Sequence, residues 1–78
     1  MNTNNNEQGK RLASVIAYSQ MSTNKFARYI GLPRGENLYR IQRGQNGISR
    51  DVANRIAEKF PEISIGWLLS GEGLMLLD

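Results

Sequence analysis

The sequence predicts an all-α fold, a compact bundle of five short helices, on three observations. Apolar residues recur at three- and four-residue spacing in successive segments, the mark of amphipathic helices. Serine stands just ahead of several of these segments and glycine or proline just after them, the residue types that start and stop helices. No stretch alternates apolar and polar residues as a half-buried strand would.

Taken in order, "MNTNNN" is polar, low in complexity and without periodicity, so residues 1–7 are expected to form a disordered tail ahead of one domain, residues 8–78. The first helix is expected from Gln8 to about Ser19, with Leu12, Val15 and Ile16 on its buried stripe and Lys10 and Arg11 off it. Ser22 is the expected N-cap of a second helix, Thr23 to Ile30, with Met21 placed to staple onto Phe26. Phe26, Ala27 and Ile30 are its buried edge, and Gly31 closes it in a left-handed conformation. Leu32 precedes a proline and is pushed toward extended geometry, so a short turn leads into a third helix over about Gly35 to Ile41. Leu38 and Ile41 should face inward there.

"QRGQNG" breaks the pattern with two glycines and an asparagine. Ser49 then caps a fourth helix with Asp51 in its first turn and Val52, Ala53, Ile56, Ala57 and Phe60 as its apolar stripe. Pro61 ends it, and Ser64 caps a last short helix through Leu69. Trp67 is expected in the core, while "LMLLD" at the end is either a dimerising surface or the entrance to a linker.

Composition narrows the function classes. The chain has no cysteine and no histidine, which removes disulfides, thiolate metal ligation and the commonest general base and metal ligand. No base lies at recognisable spacing beside a serine or lysine nucleophile, so no enzyme, metal, cofactor or small-molecule ligand is expected. No signal-peptide core and no apolar run long enough to span a bilayer occurs, and a soluble, cytoplasmic protein is expected. The net charge of +3 is unevenly distributed: through Arg43 seven bases face Glu7 and Glu36 alone, whereas beyond it Arg50, Arg55 and Lys59 face five acids. The first half suits a polyanionic partner.

Two helices joined at Gly31 by a tight turn, "FARYIGL", and the long segment "ISRDVANRIAEKFPEISIGWLLSGEGLM" resemble the Cro-repressor-like (XRE-type) helix-turn-helix domains of bacteria and phages, over about Gly9 to Met75. The resemblance implies a lambda-repressor-like fold and sequence-specific binding of double-stranded DNA, with the third helix in the major groove. It further implies a transcriptional regulator, a repressor by family habit, acting as a homodimer on half-sites roughly 34 Å apart. The family places an aliphatic residue six positions after the glycine; here that position is Asn37, with Leu38 one later, so the turn reads as one residue longer.

Aligned backward from Leu38 and Ile41, the base-reading positions fall on Arg34, Glu36, Asn37 and Arg40; aligned forward from Gly31 they shift by one. In the first register Arg34 and Arg40 take guanine edges or nearby phosphates, Asn37 adenine or a phosphate, and Glu36 cytosine or an intrahelical salt link. Thr23, Asn24 and Lys25, with Arg43, Gln45 and Asn46 beyond the reading helix, become the phosphate contacts. Tyr39 either joins them or packs its ring on its neighbours. A rival reading is a helical protein-interaction module, antitoxin-like or accessory, whose segment from Arg34 to Arg43 meets an acidic protein surface.

Overall fold

The computed structural model describes residues 3–77, and it is all-α. Five helices run in order among these residues: α1 (Thr3–Ser19), α2 (Thr23–Tyr29), α3 (Glu36–Gln42), α4 (Arg50–Lys59) and α5 (Ile65–Ser70). α1 packs against α2, α3 and α5, α2 packs against α3, and α4 packs against α5, so α1 is the helix with most partners. No helix among the described residues is long and apolar enough to cross a membrane.

Three serine caps set the starts of α2, α4 and α5. Ser22, Ser49 and Ser64 are each extended and accept, through Oγ, the backbone N–H three residues on, at 3.1 Å in each case. Each bond satisfies an amide that the helix itself leaves open. α2 and α3 end alike. The Leu32 N–H reaches the Ala27 carbonyl at 2.9 Å and Gly31 N–H that of Arg28 at 3.0 Å, while Gln45 and Gly44 repeat the pattern on Arg40 and Ile41. Gly31 and Gly44 take the positive φ that this double-bonded C-cap needs.

The core is one cluster. Phe26, Leu12, Leu38, Ile41, Ile56, Ile63 and Leu68 are its largest fully buried members. Phe26 also stacks on Phe60 with ring centroids 5.6 Å apart, tying the middle of α2 to the end of α4. Trp67 is half-buried at the edge of the cluster, with Met21 and Leu69.

One expectation changes. The helix α1 begins at Thr3, so residues 3–7 are helical where the composition predicted a tail; Met1 and Asn2 lie outside the described residues. The cause is tertiary. Gln8 is buried, its Oε1 accepting from Ile48 N–H at 2.7 Å and its Nε2 donating to the Leu69 carbonyl at 2.8 Å. Asn6 and Asn5 lie against Gly44 and Gly47 of the loop after α3. These contacts fix a turn that has weak helix formers and no first-turn acid.

At the other end, residues 74–77 lie back along the body. Ile63 and Leu76 form an isolated antiparallel bridge, with Ser64 N–H on the Met75 carbonyl and Leu77 N–H on that of Glu62, both at 2.7 Å. Asp78 lies outside the described residues. Leu74, Leu76 and Leu77 nonetheless stay exposed on the outer side of this strap.

Candidate nucleic-acid interface

The site is built on the junction of α2 and α3. Because Ser22 starts α2 sharply, Thr23, Asn24 and Lys25 form its first turn, with Asn24 and Lys25 exposed. Asn24 lies against Gly35, where a Cβ would sit 2.5 Å from Asn24 Oδ1 and 3.3 Å from its Cα. Gly35 therefore lets the starts of the two helices meet. It is the N-cap of α3, one residue ahead of the first helical residue, and it supplies no side-chain cap.

Leu38 and Ile41 are fully buried, as their spacing predicted. Their burial turns Glu36, Asn37, Tyr39 and Arg40 outward on α3, with Arg43 exposed at its C-cap. An open polar groove of about 420 Å³ runs along the junction, lined by Asn24, Arg34, Gly35, Glu36, Tyr39 and Arg43. Five of these six were picked out from the sequence; Gly35 was not. The signal for it was a glycine directly ahead of α3, a place where close backbone approach is wanted.

The remaining candidates surround this groove without lining it. Asn37 and Arg40 are exposed on α3, Thr23 is half-buried, Lys25 is exposed on α2, and Gln45 and Asn46 are exposed in the loop after α3. The charges divide clearly. Arg40 Nη2 lies 3.3 Å from Glu36 Oε2 one turn earlier on the same helix. Among the described residues Lys25, Arg28, Arg34 and Arg43 have no carboxylate within 4.0 Å. The groove thus carries two unneutralised guanidinium groups and one carboxylate that already has a partner.

Two other arginines are structural. Arg11 donates through Nε to the Leu68 carbonyl at 2.9 Å and through Nη2 to that of Leu69 at 3.2 Å, closing the end of α5. Arg55 pairs with Asp51 at 2.9 Å and sends Nη1 to the Gly31 carbonyl at 3.1 Å, so α4 holds the end of α2 and the beginning of the turn. The sequence signal for Arg55 was its spacing from Asp51; Arg11 had none beyond being basic.

Set against known protein families, curated proteins and solved structures, the chain matches none of them. The groove's two free guanidinium groups offer planar donor forks, Asn24 an amide, and Tyr39 a phenol. Such a donor set matches phosphate oxygens and base edges. No group of three or more histidine, cysteine, aspartate or glutamate side chains among the described residues is arranged to hold a metal ion.

Proposed function

We propose that this protein is a Cro-repressor-like helix-turn-helix regulator that binds double-stranded DNA with α3 in the major groove. The observation that carries the reading is the convergence of Arg34, Arg43, Asn24 and Tyr39 on one open groove at the α2–α3 junction, with both arginines free of carboxylates among the described residues. A helix whose inner side is pinned by Leu38 and Ile41 and whose outer side carries Glu36, Asn37, Tyr39 and Arg40 is suited to entering a groove. Arg34, Glu36, Asn37 and Arg40 are the base readers in this proposal. Thr23, Asn24 and Lys25 on one side, and Tyr39, Arg43, Gln45 and Asn46 on the other, hold the phosphates. The protein acts in the cytoplasm as a homodimer, for which exposed Leu74, Leu76 and Leu77 supply the apolar surface.

The test is titration of bulk duplex DNA by fluorescence anisotropy across salt concentrations. Binding should weaken steeply with salt, the logarithmic slope falling by about 0.9 for each phosphate contact removed, as in Arg43→Ala. Arg40→Ala should instead change which sequences are preferred. Absence of any salt-sensitive binding at micromolar protein sinks the proposal. The rival protein-interaction reading then gains if Arg34→Ala and Arg43→Ala abolish capture of a discrete acidic partner.

A further inference from the structure

A surface that attracts a polyanion gains nothing from a carboxylate, because each negative charge repels the phosphates that dominate affinity. Yet Glu36 lines the groove beside Arg34 and Arg43. Its Oε2 lies 3.3 Å from Arg40 Nη2, with the two side chains 60% and 49% exposed, so both remain accessible from solvent. The cations of this face are therefore of two kinds. Arg34 and Arg43 carry full attraction for phosphate, whereas Arg40 is offset by a carboxylate on its own helix. A guanidinium has five N–H donors in a planar fork, and the bond to Glu36 occupies only one edge of it.

We propose that Glu36 sets the sequence specificity of this surface: paired with Arg40, it withholds that guanidinium from phosphates and presents its free edge to bases, making a two-residue reader of G·C pairs. A neutral pair adds no non-specific attraction. It becomes favourable only where a guanine offers O6 and N7 to Arg40 and a cytosine amino group faces the Glu36 carboxylate. A misplaced phosphate meets a carboxylate instead. Non-specific attraction is left to Arg43 and Lys25, and the pair adds its discrimination to that of Arg34 and Asn37. Glu36 is thus a positioning residue for Arg40 as well as a reader, and the inference rests on the DNA-binding reading above.

The experiment uses the full chain and two duplexes, one selected from random sequence by the wild-type protein and one of arbitrary sequence. Both are titrated between 50 and 200 mM salt, on the order of the range over which phosphate contacts are resolved. Glu36→Gln should bind the arbitrary duplex more tightly with a slope steeper by about 0.9, because Arg40 is released to a phosphate. The ratio of selected to arbitrary affinity should fall by about tenfold, the discrimination carried by one good base contact. The double variant Glu36→Gln with Arg40→Gln should return the slope to the wild-type value while the ratio stays low. Circular dichroism of each variant checks that α3 is intact.

A wild-type ratio in Glu36→Gln, or an unchanged slope, overturns the role of Glu36 while leaving DNA binding standing. A wild-type protein that binds both duplexes equally overturns it as well. Loss of salt-sensitive binding by the wild type would instead remove the DNA-binding reading itself.

Discussion

Gly9→Ala should destabilise this protein, although it replaces the second-worst helix former with the best in the interior of α1. On propensity alone the change stabilises by about 1 kcal/mol. The structure reverses the sign. Gly9 is buried, and a Cβ there would run into the Ile41 carbonyl oxygen and sit 2.9 Å from the Gln42 carbonyl oxygen and 3.1 Å from its carbon. All three are backbone atoms of α3, which no rotamer change moves aside.

α1 and α3 must then part by several tenths of an ångström, and a gap of that order forfeits about a quarter of the dispersion attraction across the seam. Leu12, Leu38 and Ile41 are fully buried near it. Overpacking of this kind costs about 1–3 kcal/mol, which leaves a net loss of about 1 kcal/mol after the propensity gain. For a chain of this size that lowers the thermal midpoint by about 4–8 °C. Gly66→Ala is the matched control. It lies in the first turn of α5 with only Ser64 Oγ near, at 3.8 Å, and should be neutral or stabilising by about 0.5 kcal/mol. Urea unfolding followed by circular dichroism reads both. If Gly9→Ala raises the midpoint as Gly66→Ala does, the close approach of α1 to α3 is wrong.

Gln8→Leu should cost about 2 kcal/mol in the same assay, since it strands the buried Ile48 N–H; the Leu69 carbonyl keeps its bond from Arg11. A loss indistinguishable from zero would mean that Ile48 has another acceptor. The Tyr18 hydroxyl donates to Glu62 Oε2 at 2.8 Å, and this bond, then burial and the Glu62 charge, raise the phenol above its ordinary 10.0. Because the folded state holds the proton more tightly, this stabilisation is complete below pH 10.0 and declines as pH rises through the raised value. Tyr18→Phe should flatten that alkaline decline in urea midpoint, and parallel profiles for the two proteins would count against the bond.

What could be read from the sequence was what a few neighbouring residues decide. Each serine cap is complete within four residues, and the closing glycines of α2 and α3 need only their own preceding turn. The inward pair Leu38 and Ile41 is fixed by one turn of helix. What stayed hidden was decided by distant partners. The start of α1 depends on Gly44, Gly47, Ile48 and Leu69, and the return of the tail depends on Ile63. At the groove, side chains on one short stretch were recognisable, whereas Arg11 and Arg55 looked like ordinary surface cations until their carbonyl partners were seen.

The same distinction explains why Pro33, Arg34 and Gly35 do not weaken α3. A turn of this length would loosen α3 if the turn alone positioned it. Here the turn is held at its start by the Gly31 cap and Arg55, and at its end by Gly35 against Asn24. The phase of α3 is set independently, from below by Leu38 and Ile41 and from behind by the approach of Gly9 to its last turn. Neither constraint depends on how many residues separate Gly31 from Glu36. The outward face of α3 is therefore fixed, and Arg34, exposed between two held points, borders the groove without a carboxylate partner among the described residues.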